Sequence, residues 1–423
     1  MPVRSASISA PASRLASDFW KFWAGQSISS FGSSFTLFAL PLLTFKLTHS
    51  ALNLALTMAA GYLPYLLFGL LIGAWVDRVN RKKLMIFTDI IRALLIASIP
   101  LMATLNLLSV WWIYGIAFVS TVLSIGFNAA QFAAIPSLVG RDNLVTANGR
   151  IQASFSAATV LGPFLAGLLV AIIPVASILL FDALSFLISA VSLALIRVSF
   201  NPDGEDEEQQ SNIWQDINEG LRYVLGHPVL RAIAIMMALV NLVATTTSAQ
   251  LVFFAKYQLQ ASNTQVALLY TASAVGITCL SLSAGFLRKR GSFSVVALGA
   301  LMLDGLVTVI FSLMHWFWLA LPLWGLIAGL AMLFNINTNS LRQTIVPNHM
   351  LGRVMTVASV LAWSAIPIGT ILGGTIIDHV KNVALVYGVI GGIIILLPLA
   401  FSFTALGHAD RYLPKPSSAQ VTE

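Results

Sequence analysis

Twelve apolar runs, each about long enough to cross a bilayer, constrain this chain more than any other feature. They lie at roughly 19–45, 53–76, 84–105, 111–134, 153–173 and 175–197, and again at roughly 229–255, 264–287, 293–314, 316–340, 355–378 and 383–405. A spanning helix needs about 20 apolar residues. The expected fold is therefore an all-α polytopic membrane protein, with twelve transmembrane helices in two pseudo-symmetric six-helix halves. Composition agrees. The 423 residues are 58% hydrophobic and 9% charged, against about 25% charged in soluble domains. That balance excludes an ordinary cytosolic enzyme, and disorder with it. Cys279 is the single cysteine, so a disulfide framework and a cysteine-based metal site are excluded too.

Charge placement gives the orientation. One side of the twelve-run map collects Arg4, Arg14, Arg78, Arg81, Lys82, Lys83, Arg141, Arg150, Arg222, Arg288, Lys289, Arg290, Arg342, Arg353, Arg411 and Lys415, with Lys21, Arg92, Arg197 and Arg231 inside spans but toward that side. The other side holds only Lys46, Lys256 and Lys381. Basic residues concentrate in cytoplasmic loops. Both termini and the central linker are therefore expected in the cytoplasm, and the net charge of +7 reflects loops rather than nucleic acid binding. Residues 1–18 form a polar tail, and the run that follows is too long for the apolar core of a signal peptide.

The expected division is a cytoplasmic tail (1–18), a first six-helix bundle (19–197), a cytoplasmic linker (198–228), a second bundle (229–405) and a cytoplasmic C-terminal tail (406–423). The linker opens with Asp203, Glu205, Asp206, Glu207 and Glu208. Ile213, Trp214, Ile217, Leu221, Val224 and Leu225 follow at helical spacing, which predicts an amphipathic helix on the inner membrane surface. The two bundles repeat. Lys46 corresponds to Lys256 at an offset of 210, Gly162, Ala166 and Gly167 to Gly369, Gly373 and Gly374 at 207, and Pro136 to Pro347 at 211. A parallel repeat places a pseudo-two-fold axis along the membrane normal and a substrate cavity between the halves.

The strongest single motif runs from Gly69 through Gly73, Asp77 and Arg78 to Arg81, Lys82 and Lys83. Glycines four apart allow close helix packing. An acid beside a short basic loop can form a latch between helix ends that breaks when they separate. This stretch resembles the loop between helices two and three of the major facilitator superfamily. The resemblance extends along the whole chain, and within the superfamily it is to the branch of macrolide efflux proteins and enterobactin exporters. Asp89 with Arg92 in span three, Ala134-Ile-Pro136-Ser-Leu-Val, Ala147-Asn148, Leu161-Gly162-Pro163, Phe181-Asp182-Ala-Leu-Ser-Phe186, Glu219-Gly220-Leu-Arg222-Tyr223 and Gly352-Arg353-Val354 all carry it. The second half departs from the loop pattern at Gly285-Phe-Leu-Arg288-Lys289-Arg290, where Lys289 replaces the acid. Gly162-Pro163 through Gly167 resembles the superfamily's exporter-associated motif.

The resemblance implies a cavity lined by spans 1, 4, 7 and 10. Those spans offer Gln26, Ser30, Ser34, Phe35 and Phe38; Asn128 and Gln131; Asn241, Thr245 and Gln250; Asn335, Asn337 and Asn339. Amides, hydroxyls and aromatics suit a neutral or amphipathic small molecule. Each could equally join helices by hydrogen bonds. Ionisable residues within spans are costly and mark function. Asp304, the acid most isolated from basic residues along the chain, ranks first as a proton carrier. Asp182 comes next, in a span that the resemblance places outside the cavity. Asp89 is expected to pair with Arg92, three residues along the same helix face, and Asp77, Asp18 and Asp378 stand at helix ends.

No Gly-x4-Gly-Lys-Ser/Thr loop is present, so ATP does not drive the chain directly. Neither a cofactor nor a metal site is expected, since the six histidines form no ligand-spaced pair. The reading is a monomeric bacterial inner-membrane transporter that exports a small amphipathic compound by alternating access in exchange for protons. An importer and a non-transporting receptor or scaffold are the alternatives.

Overall fold

The computed structural model describes residues 17–76, 79–139, 143–201, 213–347 and 350–409. Its helices are α1 (Ser17–Thr48), α2 (Ala51–Val76), α3 (Arg81–Thr104), α4 (Val110–Val139), α5 (Leu144–Leu169), α6 (Val175–Ala194), α7 (Ile213–Gly226), α8 (Pro228–Ala249), α9 (Leu251–Tyr257), α10 (Asn263–Arg290), α11 (Phe293–Ser312), α12 (Phe317–Ile345), α13 (Leu351–Trp363), α14 (Ala365–Val380) and α15 (Val383–Ser402). Among the described residues, twelve segments are long and apolar enough to span a membrane. Helices α13 and α14 together make span eleven. It breaks at Ser364, three residues before Pro367, whose ring nitrogen cannot donate to the preceding turn. Helix α9 follows span seven as a separate short helix, and α7 is the linker helix. Successive spans alternate in direction. The connections α2–α3, α10–α11 and α12–α13 thus share one end, here called the basic end, while α1–α2, α3–α4, α11–α12 and α14–α15 share the far end.

Helices in lipid gain nothing from burying apolar surface against one another, so small residues set where they cross. Helices α10 and α12 meet at Gly276 and Gly325, where a Cβ on Gly276 would strike the Gly325 carbonyl. Helices α11 and α15 meet at Gly305 and Gly391, each with its Cβ position 2.7 Å from the other's carbonyl oxygen. Around these crossings the second half packs an aromatic core. Phe254 stacks on both Phe311 and Tyr387 at 4.6 Å, and the Tyr387 hydroxyl donates to the Thr247 carbonyl at 2.6 Å. Trp111, Trp112, Trp316 and Trp318 are exposed where α4 and α12 begin, the position of an interfacial aromatic belt.

The internal repeat holds at the level of contacts. Gly162 of α5 packs on Ser34 of α1, and its mate Gly369 of α14 packs on Leu242 of α8. Gly167 of α5 meets Ala267 of α10, and its mate Gly374 meets Ala55 of α2. The contacts of Gly167 and Gly374 cross from one half to the other. The linker helix α7 packs against the second half of the chain. Val224 and Leu221 pack with Leu230, Ala234, Val354 and Val357 of the second half, and Glu219 pairs with Arg353 at 2.6 Å. Leu221 and Val224 of α7 are thus covered by protein, while Leu225 stays exposed.

Replacing Gly276 with valine forces the α10 and α12 backbones apart. Overpacking of this kind costs about 1–3 kcal/mol, and the expected result is a lower melting temperature for the detergent-purified protein, read by a thermal melt.

Candidate functional site

Charges inside a bilayer need partners supplied by the protein, and the first half supplies them in one place. Asp182 of α6 is 1% exposed. Its carboxylate accepts from the Thr36 hydroxyl, from Ser33 at 3.4 Å and from Ser185 at 3.3 Å. Helix α1 comes this close because it carries Gly32 at the contact, where a Cβ would strike Ser185 and lie 2.8 Å from the Asp182 carboxylate. On α3, Asp89 is fully buried, and its carboxylate lies 4.0 Å from Arg92. The Arg92 guanidinium sits 3.9 Å from the centre of the Phe186 ring. One turn along α6, Ser189 accepts from Gln26 at 2.9 Å. Helices α1, α3 and α6 thus share one polar seam.

Two chambers meet at this seam. One, about 420 Å³, is largely apolar and is lined by Leu40, Met58, Tyr62, Tyr270 and Phe186, with Asp182 on its wall. The other, about 540 Å³, is more polar and runs past Gln26, Ser34, Asn128, Gln131 and Gln152 toward the basic end. Ser33, Leu37, Arg92 and Ser124 line both. The resemblance to known transporters put span six outside the cavity and left the cavity without a central charge. In the structure Asp182 lines the first chamber and Arg92 lines both. Ser33 and Thr36 were not singled out beforehand. Their signal was legible as two hydroxyls three residues apart, facing a stripe of Asp182, Ser185 and Ser189 in span six.

The halves meet tightly at the far end. Thr264 of α10 donates to the Gly167 carbonyl at 3.2 Å. Ser50, Ala51 and Leu52 all donate to Asp378, and Gln250 donates to the Ala51 carbonyl at 2.7 Å. Phe38 packs edge-on against Tyr270 across the same seam. Lys256 donates to the Ala261 carbonyl at 2.7 Å and to Asn263 at 2.8 Å. Burial, with Lys46 nearby, lowers the pKa of its ammonium below the ordinary value. These hydrogen bonds between the halves all lie toward the far end. A Cβ added at Gly69 of α2, Gly149 of α5 or Gly285 of α10 would meet open space.

Other expected site residues lie elsewhere. Phe35 packs on Phe181 between α1 and α6. In the second half, Asn241 donates to the Ala362 carbonyl, Thr245 to Asn241, Asn335 to Ala331 and Asn337 to Leu333, all as helix-to-backbone bonds. Asn339 faces Arg342 at 3.5 Å. Asp304 is buried in α11 with Thr308 at 3.4 Å and lines neither chamber. Asp77 and Arg78 fall outside the described residues, and Gly73 lies in α2. Arg353 holds Glu219. Arg81 reaches the Phe200 carbonyl at 3.2 Å and Lys82 the Ile196 carbonyl at 2.5 Å, tying the basic loop to the end of α6. Pro163 lies inside α5, between the two glycines that set its contacts. Among the described residues no cluster of histidine, cysteine and acid could hold a metal.

Valine at Gly167 would collide with Ala267 across the halves. In a Cys279→Ser background, this wedge is expected to speed labelling of a cysteine at Leu40 by an impermeant maleimide applied at the far end, by roughly tenfold.

Comparison with known proteins agrees with this geometry. The family model described as Major Facilitator Superfamily matches residues 22–370. The chain is 27% identical to the multidrug efflux pump Tap of Mycolicibacterium fortuitum over 358 residues, covering 82% of this chain and 86% of that protein. It is 25% identical to macrolide efflux protein A of Streptococcus pyogenes over 374 residues, covering 86% and 90%. A bacterial homologue of the human lysosomal transporter Spinster, solved inward-facing and unoccupied, superposes with a TM-score of 0.71 at 15% identity, covering 95% of this chain and 98% of that one. The chain belongs to the Major Facilitator Superfamily and is a multi-pass membrane transporter, not an enzyme.

Proposed function

We propose that this protein exports a small amphipathic compound by alternating access, in exchange for protons. The observation that carries the reading is the Asp89–Arg92–Asp182 cluster at the junction of the two chambers. Two carboxylates and one guanidinium leave one negative charge uncompensated, and a single proton cancels it. In a bilayer interior that difference is costly enough to matter. Asp182 is the proposed proton site because it lies on the chamber wall and hangs on Thr36 and Ser33 of α1. A proton there weakens the hold of α6 on α1 and frees Arg92, so occupancy of the chamber and protonation compete. Asp304 has no chamber contact and takes no part in this scheme.

The conformation, with the halves hydrogen-bonded at the far end, is read as inward-facing. The basic loops then lie in the cytoplasm with both termini, and the membrane is the bacterial inner membrane. The apolar chamber with Tyr62, Tyr270 and Phe186 supports an amphipathic cargo. The efflux names of Tap and macrolide efflux protein A support the outward direction. The proposed working unit is the monomer, with the cavity inside one chain. On switching, Gly69 and Gly73 close against the second half, and Asp77, Arg78 and Arg353 form the latch at the basic end. Asp77→Asn is then expected to slow transport without blocking insertion.

Proteoliposomes loaded with a macrolide test the reading. Wild-type protein should move it only with a pH gradient, and a protonophore should stop it. Asp182→Asn should abolish the dependence on the gradient, while Asp304→Asn keeps it. Efflux that survives full collapse of the gradient would refute proton exchange. Orientation has its own test. A cysteine at position 206, in a Cys279→Ser background, should be labelled by an impermeant maleimide in inside-out vesicles and not in intact cells.

A further inference from the structure

The far-end seam is built differently at its two symmetry-related crossings. Helix α10 caps itself. Ser262 accepts from the Gln265 amide at 3.2 Å, and the Gln265 side chain accepts from the Ser262 amide at 2.8 Å, a complete capping box. Helix α2, its repeat mate, draws its cap from the other half of the molecule. Asp378, near the end of α14, accepts from the Ala51 amide at 3.0 Å, from the Leu52 amide at 3.2 Å and from the Ser50 hydroxyl at 2.8 Å. These amides are among the first in the helix and have no partner within it. A carboxylate there also meets the positive end of the helix dipole.

The surroundings fit this role. His49 takes a left-handed backbone, φ 50°, and turns the chain so that Ser50 faces α14. Gln250 is fully buried, and its amide donates to the Ala51 carbonyl. Gly374 lets α14 approach, since its Cβ would lie 2.6 Å from that of Ala55. At the offset of the repeat, Asp378 corresponds to Ala171, so only one of the two crossings carries a carboxylate from the other half.

We propose that Asp378, with Ser50 and Gln250, is the latch that holds the far end shut, an acid of one half serving as the helix cap of the other. Opening the far end pulls the carboxylate away from three donors at once and leaves the first turn of α2 to water. The closed-far-end state gains by that difference, and the other state does not share it. The expected basic-end latch at Asp77 would join the opposite ends of the same two spans, so the two acids bias the transporter in opposite directions. The inference rests on the alternating-access reading.

Double electron–electron resonance tests it, in a Cys279→Ser background. One spin-label pair sits at the far end, on Leu107→Cys and Leu313→Cys. A second pair sits at the basic end, on Asn148→Cys and Gln343→Cys. Asp378→Ala should raise the population with a long far-end distance by roughly fivefold or more. Ser50→Ala, which removes one of the three donors, should shift it in the same direction by less. Widening at the far end with shortening at the basic end supports both the latch and alternating access. Widening without shortening supports the latch and refutes the rocking of the halves. Distances unchanged in Asp378→Ala overturn the latch. Should Asp378→Ala fail to fold, unchanged distances in Ser50→Ala overturn it equally.

Discussion

A carboxylate inside a helical bundle in lipid has no water to fall back on, and this constraint organises the first half of the molecule. A charged side chain at the centre of a spanning helix costs ~3 kcal/mol even by the mildest measure. Asp182 meets that cost with hydroxyls from α1 and its own helix, and with Arg92 across from α3. The guanidinium in turn is shared with Asp89 and lies over Phe186. Polar groups of three helices thus meet where the two chambers join: hydroxyls of α1 hold Asp182 of α6, and Arg92 of α3 lies over Phe186 of α6. Any change in that charge set alters what holds α1 to α6. In the proposed exchange, this is the physical route from proton occupancy to helix position.

The backbone geometry around the site follows from residue size. Gly32 brings α1 onto α6, and Gly162 brings α5 onto α1. Gly167 and Gly374 bring each half onto the other at the far end. The same glycines explain how the seam can part, because the contacts they allow are short-range packing without interlocking side chains. The charged cap on α2 then adds a directional hold to a surface that would otherwise slide. Its absence at the α5–α10 crossing makes the two-fold repeat approximate in energy as well as in sequence.

Much of this was legible in the residues. Span count followed from hydropathy, because a bilayer leaves helices little freedom in length. The glycine repeat at Gly162, Gly167, Gly369 and Gly374 foretold equivalent contacts, because a missing Cβ has one main use between close helices. The placement of Asp182 was less legible. Asp182, Ser185 and Ser189 mark one polar face of span six, but which helix supplies the partners of that face depends on packing that span six itself does not record. The amides of the second half, Asn241, Asn335 and Asn337, looked like cavity ligands, yet they bond nearby backbone carbonyls. Sequence cannot distinguish these uses, since both need the same side chain. The linker helix showed its apolar stripe plainly, but a stripe does not say whether lipid or protein covers it. Asp378 stood out as a helix-end acid, while its partners Ser50 to Leu52 are 326 to 328 positions away.

In the proposed resting state the charged junction faces the basic end while the far end is sealed. Ser124 lines both chambers beside Arg92, so a cysteine there reports directly. In a Cys279→Ser protein without substrate, an impermeant maleimide should label Ser124→Cys at least roughly tenfold faster in inside-out vesicles than in right-side-out ones, as a population held mainly in one state requires. Equal rates from the two sides, or faster labelling from the far side, would contradict the account.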